Sequence, residues 1–328
     1  MTTYRALWVT EEPQFQQKVT KRQLADLPTG EVLVRVHYSS LNYKDALSAT
    51  GNKAVTKSYP HTPGIDAAGV VEHSDADGFV PGDEVIVTGY DLGMNTSGGL
   101  AEYIRVPASW LIKRPSGLSL REAMILGTAG FTAGLCVNKL VDAGLQTGDG
   151  DVLVTGATGG VGSVAVKLLS QLGYRVVAAT GKAEQAEFLQ QLGAAEVIDR
   201  AELSEGAERP LLKPRWAGAV DTVGGDILFN VVKSLSYGGS VACCGLTAGT
   251  NYAGNVFPFI LRGVNLLGVD SVELPLVAKA SMWDMLSLQW KMDLEPLVEE
   301  ISLEQTPQAI AQILAGQQKG RVLVDMTR

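Results

Sequence analysis

Four glycines set within seven residues, Gly156, Gly159, Gly160 and Gly162, form the spacing in this chain that most directly implies chemistry. Glycines at such intervals permit a tight turn, let backbone come up against a pyrophosphate, and let a helix pack close to a sheet with its first N–H groups facing the phosphates. Val152, Leu153 and Val154 precede them as a strand buried on both faces, while Val161, Val164, Ala165, Leu168 and Leu172 follow at helical spacing. Thr158, Gly159, Gly160 and Val161 are therefore the candidate phosphate contacts. A glycine-rich turn that binds nothing is the alternative. Context weighs against it, because the helix ends at Gly173 and a strand (175–179), a helix (183–192, closing on Gly193) and a third strand (196–199) follow in the βαβαβ order of a dinucleotide-binding unit.

The second of these strands bears on which dinucleotide is held. NAD sites place an Asp or Glu about twenty residues after the glycine turn, where it accepts from the ribose 2′-hydroxyl and repels a 2′-phosphate. Here the strand ends in Thr180-Gly181-Lys182, and the nearest carboxylate, Glu184, lies in the helix beyond. A hydroxyl, a flexible backbone N–H and an ammonium converge where a 2′-phosphate belongs, and Arg200 adds a guanidinium after the third strand. The cofactor expected is NADPH. The alternative makes Lys182 and Arg200 ordinary solvated cations.

The elements that position these residues fall into two domains. The length of 328 residues and a hydrophobic content of 46% allow two full cores. A net charge of −8 with scattered cations argues against a nucleic-acid partner. Cys136, Cys243 and Cys244 are too few for a disulfide framework, which favours a reducing compartment, and no uninterrupted apolar run approaches a membrane span or a signal sequence. The expected setting is cytoplasmic. Short strand signals at 4–9, 31–40, 68–72, 84–88, 101–106 and 110–112, separated by turns such as Pro81-Gly82-Asp83, suggest an irregular antiparallel barrel. Beyond 199, strands at 216–222, 240–244 and 265–269 alternate with helices at 227–235 and 257–261. A helix at 278–290, with Met282 and Met285 as packing residues, a helix at 307–315 and a strand at 321–326 follow. The expected division is residues 1–123, 124–293 and 294–328, the last returning to the first domain, with crossings near 120–127 and 292–297 as hinges for closure over substrate.

Four stretches carry a wider resemblance: Ser39-Ser-Leu-Asn-Tyr-Lys-Asp45, Pro63-Gly-Ile-Asp-Ala-Ala-Gly69, Gly127-Thr-Ala-Gly-Phe-Thr-Ala133 and Val154-Thr-Gly-Ala-Thr-Gly-Gly-Val-Gly162. With the terminal Gly320-Arg-Val-Leu-Val, the chain resembles the zinc-free quinone-oxidoreductase branch of the medium-chain dehydrogenases/reductases, and within it the acrylyl-CoA reductases. The resemblance implies an α/β protein with a GroES-like antiparallel barrel domain and a doubly wound Rossmann domain, and a homodimer in which residues 248–267 supply the edge strand. Zinc-dependent relatives have a cysteine ligand where this chain has Leu41-Asn42-Tyr43 and a Gly-His-Glu where it has Gly64-Ile65-Asp66, so both ligand positions read as having lost their donors. No Cys/His spacing typical of zinc occurs elsewhere, and His37, His61 and His73 read as packing or surface residues.

Without metal the chemistry rests on the cofactor: hydride from reduced nicotinamide goes to the β-carbon of an electron-poor alkene, and the charge that develops on the conjugated oxygen needs donors. By the resemblance, the turn holding Asn42 and Tyr43 faces the nicotinamide; Asn42 offers an amide N–H, and Tyr43 a hydroxyl or a packing ring. An ordinary Asn helix cap beside a packed tyrosine is the other reading. Asp45 organises the turn, and Lys44 faces solvent. Thr128 is the third catalytic candidate, its hydroxyl directed to the nicotinamide or its ribose unless the segment is only a close-packed helix start. Leu246 and Asp270, at strand carboxyl ends, are backbone candidates for the nicotinamide half. The activity implied is NADPH-dependent reduction of a small α,β-unsaturated acyl-CoA such as acrylyl-CoA. Quinone or enone reduction, and cofactor binding without turnover, stay open. No compact basic patch marks where the CoA phosphates lie.

Overall fold

The computed structural model describes residues 2–328. The chain divides into two compact units, Met1–Thr128 with Val272–Arg328, and Ala129–Ser271. The outer unit begins with β1 (Thr3–Thr10), β2 (Gln16–Gln23), β3 (Val32–Leu41), α1 (Tyr43–Ala49), β4 (Asp66–Ser74), β5 (Glu84–Thr88), β6 (Tyr103–Val106) and β7 (Ile112–Lys113). Helix α2 (Leu120–Asp142) runs through the division. The inner unit holds β8 (Asp151–Val154), α3 (Gly160–Gln171), β9 (Arg175–Thr180), α4 (Ala186–Gln191), β10 (Glu196–Asp199), β11 (Trp216–Asp221), α5 (Gly225–Ser234), β12 (Leu235–Cys243), α6 (Phe257–Arg262) and β13 (Asn265–Gly268). The chain then re-enters the outer unit as α7 (Leu276–Ser287), β14 (Val298–Ser302), α8 (Thr306–Leu314) and β15 (Arg321–Asp325).

The inner unit is a six-stranded parallel sheet ordered β10-β9-β8-β11-β12-β13, the doubly wound arrangement anticipated from the alternating pattern. Val152, Leu153 and Val154 are fully buried because helices cover a parallel sheet on both faces. Arg175–Thr180 and Gly160–Gln171 match the expected strand and helix to within a residue or two. The outer unit's sheet, β14-β15-β3-β4-β5-β7 with β6 also on β3, is antiparallel except for the β14–β15 pair. Val32, Val34 and Val36 point into its core alongside Leu92, Leu100 and Ile104, and β15 joins by pairing Val322–Asp325 against Leu41–Tyr38.

Strands β2 and β14 were not anticipated from the sequence. In β2, Gln-Gln-Lys-Val-Thr-Lys-Arg-Gln, one valine stands among polar residues, and the segment forms because β1 offers it a full antiparallel edge. The expected inner domain extends to residue 293, yet residues 272–293 belong to the outer unit. Lys279 on α7 accounts for this. It is almost wholly buried, donates to the carbonyls of Thr88 and Val272 at 2.7 and 2.9 Å, and stands 3.5 Å from the centre of the Tyr90 ring.

Helix α2 contains a break at Gly127 (φ 50°, ψ −159°), between the two helical stretches anticipated around 119–123 and 127–140. Its apolar length suffices to cross a bilayer, where the sequence reading found no such stretch. Met124, Ile125, Phe131, Cys136, Val137 and Leu140 are instead buried in the protein.

Candidate active site

In the outer unit, polar residues from three strands and two helices meet around Asp66, the first residue of β4, which is fully buried. Its Oδ2 accepts from Ser40 Oγ (2.6 Å), Asn42 Nδ2 (2.8 Å) and the Thr128 backbone N–H (2.8 Å), and its Oδ1 accepts from Thr128 Oγ1 (2.5 Å). Such a set of donors is what a buried carboxylate requires. Asn42 and Thr128, far apart in sequence, are thus brought together through a residue that the sequence reading took as a lost donor position. Asp66 collects hydroxyl and amide donors from the end of β3, the cap of α1 and the second segment of α2.

Asp45, also fully buried, accepts from the backbone N–H groups of Asn42 (2.8 Å) and Ile65 (2.9 Å) and from Asn42 Nδ2 at 3.3 Å. It organises the turn, as anticipated. Burial first, and the nearby Asp66 charge second, push its carboxyl up to about 7. The Arg321 guanidinium, delivered by β15, is likewise fully buried; Nε donates to the Ile125 carbonyl (2.9 Å), and Nη1 reaches the Leu41 carbonyl (3.4 Å) and Asn42 Oδ1 (3.5 Å). Burial draws its pKa down, and the charges of Asp66 and Asp45 oppose that shift. Nη2 is buried and finds no hydrogen-bond partner among the described residues.

This geometry corrects the role expected of Asn42. Its amide hydrogens turn inward to Asp66, Asp45 and the Ser40 carbonyl, so it fixes the turn rather than offering a donor outward. Tyr43, the first residue of α1, remains exposed, and its hydroxyl has no hydrogen bond among the described residues. Thr128 Oγ1 spends its proton on Asp66. Ser40, Asp66 and Arg321 were missed. The available signal was Arg321 itself, a charge set in the apolar run Val322-Leu323-Val324.

In the inner unit, Gly159 caps α3, and Gly160 and Val161 form its first turn. Gly156 adopts φ 58°, and a Cβ there would sit 2.3 Å from Thr222 Oγ1; a Cβ on Gly162 would sit 2.3 Å from the Gly156 carbonyl. The cradle therefore exists only with glycine, the shape needed for backbone to approach a pyrophosphate. Thr158 and Thr180 bring their hydroxyls to 3.4 Å, and the Lys182 backbone N–H donates to Thr180 Oγ1 at 3.1 Å. A Cβ on Gly181 would lie 2.6 Å from Arg200 Nε, which places the guanidinium directly against that backbone. Thr158, Thr180, Gly181, Lys182 and Arg200 thus form one cluster, and Arg200 has no ion-pair partner among the described residues. Burial lowers the Lys182 pKa, and Glu184 opposes this. Leu246 follows β12 and is exposed; Asp270 follows β13 and is exposed.

Comparison with known proteins gives matches to two family descriptions, the alcohol dehydrogenase GroES-like domain over residues 28–116 and the zinc-binding dehydrogenase over 160–287. Among the described residues no group of three or more His, Cys, Asp or Glu could hold a metal ion. The acrylyl-CoA reductase AcuI of Ruegeria pomeroyi is 47% identical over 96% of each chain. YhfP of Bacillus subtilis, which bears a provisional quinone-oxidoreductase name, is 50% identical over 92% of each, and its structure with NAD bound superposes with a TM-score of 0.96. A crystal structure of YhdH from E. coli K-12 with bound NADPH has a TM-score of 0.94 and 46% identity, covering 98% of this chain and 99% of that one.

Proposed function

The chain belongs to the medium-chain dehydrogenase/reductase family, and we propose that it is an NADPH-dependent reductase of the carbon–carbon double bond of a small α,β-unsaturated acyl-CoA, acting without metal. The observation that carries the cofactor choice is the guanidinium of Arg200 lying on Gly181 beside Lys182, at a strand end without a carboxylate. Thr158, Gly159, Gly160 and Val161 would hold the pyrophosphate, and Thr180, Gly181, Lys182 and Arg200 the 2′-phosphate. Leu246 and Asp270 would lie along the nicotinamide half. NADPH, when bound, supplies the hydride.

The chain's own residues then divide the remaining work. Tyr43, the exposed candidate whose hydroxyl has no hydrogen bond among the described residues, would donate to the thioester oxygen or pack on the nicotinamide ring. Thr128, its proton held by Asp66, would stand against the nicotinamide or its ribose. Asn42, locked by Asp66 and Asp45, sets the direction of Tyr43. The likeness to AcuI supports the acyl-CoA substrate. The name of YhfP supports the second reading, a quinone or enone acceptor reduced with the same donor.

A panel of acrylyl-CoA, crotonyl-CoA, quinones and enones, followed by loss of NADPH absorbance, separates these readings. Acrylyl-CoA should give the highest kcat/KM. Preference for a quinone would move the assignment to the second reading, and no oxidation with any acceptor would leave a cofactor-binding protein without turnover. We also propose a homodimer formed through the unpaired edge of β13, beside which Val256, Ile260 and Leu261 stand exposed. Sedimentation of a monomer at micromolar concentration would remove that assignment.

A further inference from the structure

Asp221 closes β11, the strand that lies between β8 and β12 in the inner unit's sheet, and its side chain is fully buried. Loops at the carboxyl ends of such strands line the ligand crevice of an open α/β sheet. Asp221 is bonded to three of them. Its Oδ1 accepts from Thr155 Oγ1 at 2.8 Å, just after β8, and its Oδ2 accepts from the backbone N–H of Gly224 at 2.7 Å, the cap of α5. Its main-chain carbonyl accepts from the Cys244 N–H at 3.0 Å, just after β12.

These bonds draw two segments together. Thr155, the residue before Gly156, accepts the Thr222 N–H on Oγ1 at 3.0 Å and the Thr222 hydroxyl on its carbonyl at 2.8 Å. On the other side, the Ala248 N–H donates to the Val223 carbonyl at 2.8 Å, and a Cβ on Gly245 would lie 1.8 Å from the Thr222 carbonyl. Asp221 thus stands between the glycine turn and the segment 244–249 that carries Leu246. No cation pairs with it among the described residues. Burial pushes its carboxyl up, and the bonds from Gly224, Thr155 and Val223 oppose that shift. A buried carboxylate without a cation costs the fold stability, and rules of this kind are broken mainly where a site requires it.

We propose that Asp221 is a positioning residue for the dinucleotide, an inference that rests on the cofactor placement above: through Thr155 and Gly224 it fixes the pyrophosphate turn in register with the segment along the nicotinamide half. It touches neither group itself. Its work is to hold two backbones at the separation the cofactor spans.

Two ligands test this by calorimetry: NADPH, and 2′-AMP, which carries the adenine, ribose and 2′-phosphate but neither pyrophosphate nor nicotinamide. In Asp221→Asn the amide cannot accept from both Thr155 and Gly224, and Thr155→Val removes the hydroxyl while leaving the Gly224 bond. Each variant should bind NADPH about tenfold more weakly and 2′-AMP as well as wild type does, and Thr155→Ser, which keeps the hydroxyl, should recover NADPH affinity. Equal losses for both ligands would mean general loosening of the unit and overturn the proposal, as would unchanged NADPH affinity in both variants. Should Asp221→Asn not fold, the valine and serine variants decide the matter. If Lys182→Ala/Arg200→Ala leaves 2′-AMP binding unchanged, the placement of the 2′-phosphate fails, and the NADPH affinities of the Asp221 and Thr155 variants still decide the role of Asp221.

Discussion

Asp66 accepts the backbone N–H of Thr128 at 2.8 Å, so that a strand residue caps the second segment of a helix lying 62 residues further along the chain. The same carboxylate also takes Ser40, the Asn42 amide and the Thr128 hydroxyl. In Asp66→Asn, an amide nitrogen must face donors whichever way it is turned, leaving buried polar groups unpaired at about 1–3 kcal/mol each. The expected loss is about 3 kcal/mol or more in urea unfolding, with a fall in kcat. A loss below about 1 kcal/mol would mean that the network contributes little.

Gly127 meets two demands at once. Its φ of 50° with ψ of −159° is a conformation that side chains rarely tolerate, and a Cβ would sit 2.4 Å from Ser40 Oγ, 2.6 Å from Asp66 Oδ2 and 2.9 Å from Arg321 Nη2. Gly148, with φ 98°, has nothing within 4 Å of the same position. Gly148→Ala should therefore carry only the backbone penalty, roughly 1–3 kcal/mol, whereas Gly127→Ala adds displacement of the buried cluster. Equal unfolding midpoints for the two variants would contradict this account.

Stability should respond to pH through Asp45. Its folded value of about 7 lies above the ordinary carboxylate value of 3.8, so between these the native state keeps a proton that the unfolded chain has released. By linkage, stability from this group is full below about pH 4 and declines as pH rises toward 7. Denaturation of wild type and Asp45→Asn at several pH values should show a decline over that window that the variant lacks. Parallel curves would assign the pH dependence to other groups.

Cofactor preference should follow Lys182 and Arg200. Charge-assisted bonds contribute about 1.5–3 kcal/mol each, less where solvent screens them, so NADPH should exceed NADH in kcat/KM by roughly two orders of magnitude. The Lys182→Ala/Arg200→Ala variant should lose most of that ratio. Equal efficiency with both cofactors in wild type, or full preference in the double variant, would reverse the assignment. The NAD bound to YhfP makes the comparison informative within the family.

What could be read in advance followed local periodicity. The inner unit's strands are continuous apolar runs and its turns are punctuated by glycine, so β8, β9 and β10 were located almost residue for residue. Strand β2 was invisible because pairing, not its own side chains, makes it a strand. The polar cluster was hidden for a different reason. Ser40, Asp66, Thr128 and Arg321 each look unremarkable in their own stretch, and their meaning arises from bonds spanning 26, 62 and 196 residues. That Thr180, Gly181, Lys182 and Arg200 stand close together could be anticipated because consecutive strands of a βαβ unit are neighbours in space.

Arg321 bonds the Ile125 carbonyl 196 residues before it. During synthesis the amino-terminal strands leave the ribosome first, and domains generally fold as units in that order. Asp45 and Asp66 must therefore wait, without the charge of the Arg321 guanidinium, while the whole inner unit is made. Without the neighbouring guanidinium charge the Asp66 carboxylate is costlier to seal from water at that stage, which favours an outer unit completed only when β15 arrives. The inner unit, contiguous from Ala129 to Ser271, is under no such constraint and can be complete beforehand. The dinucleotide-binding half of the enzyme is thus ready for its ligand before the half bearing Tyr43 has closed.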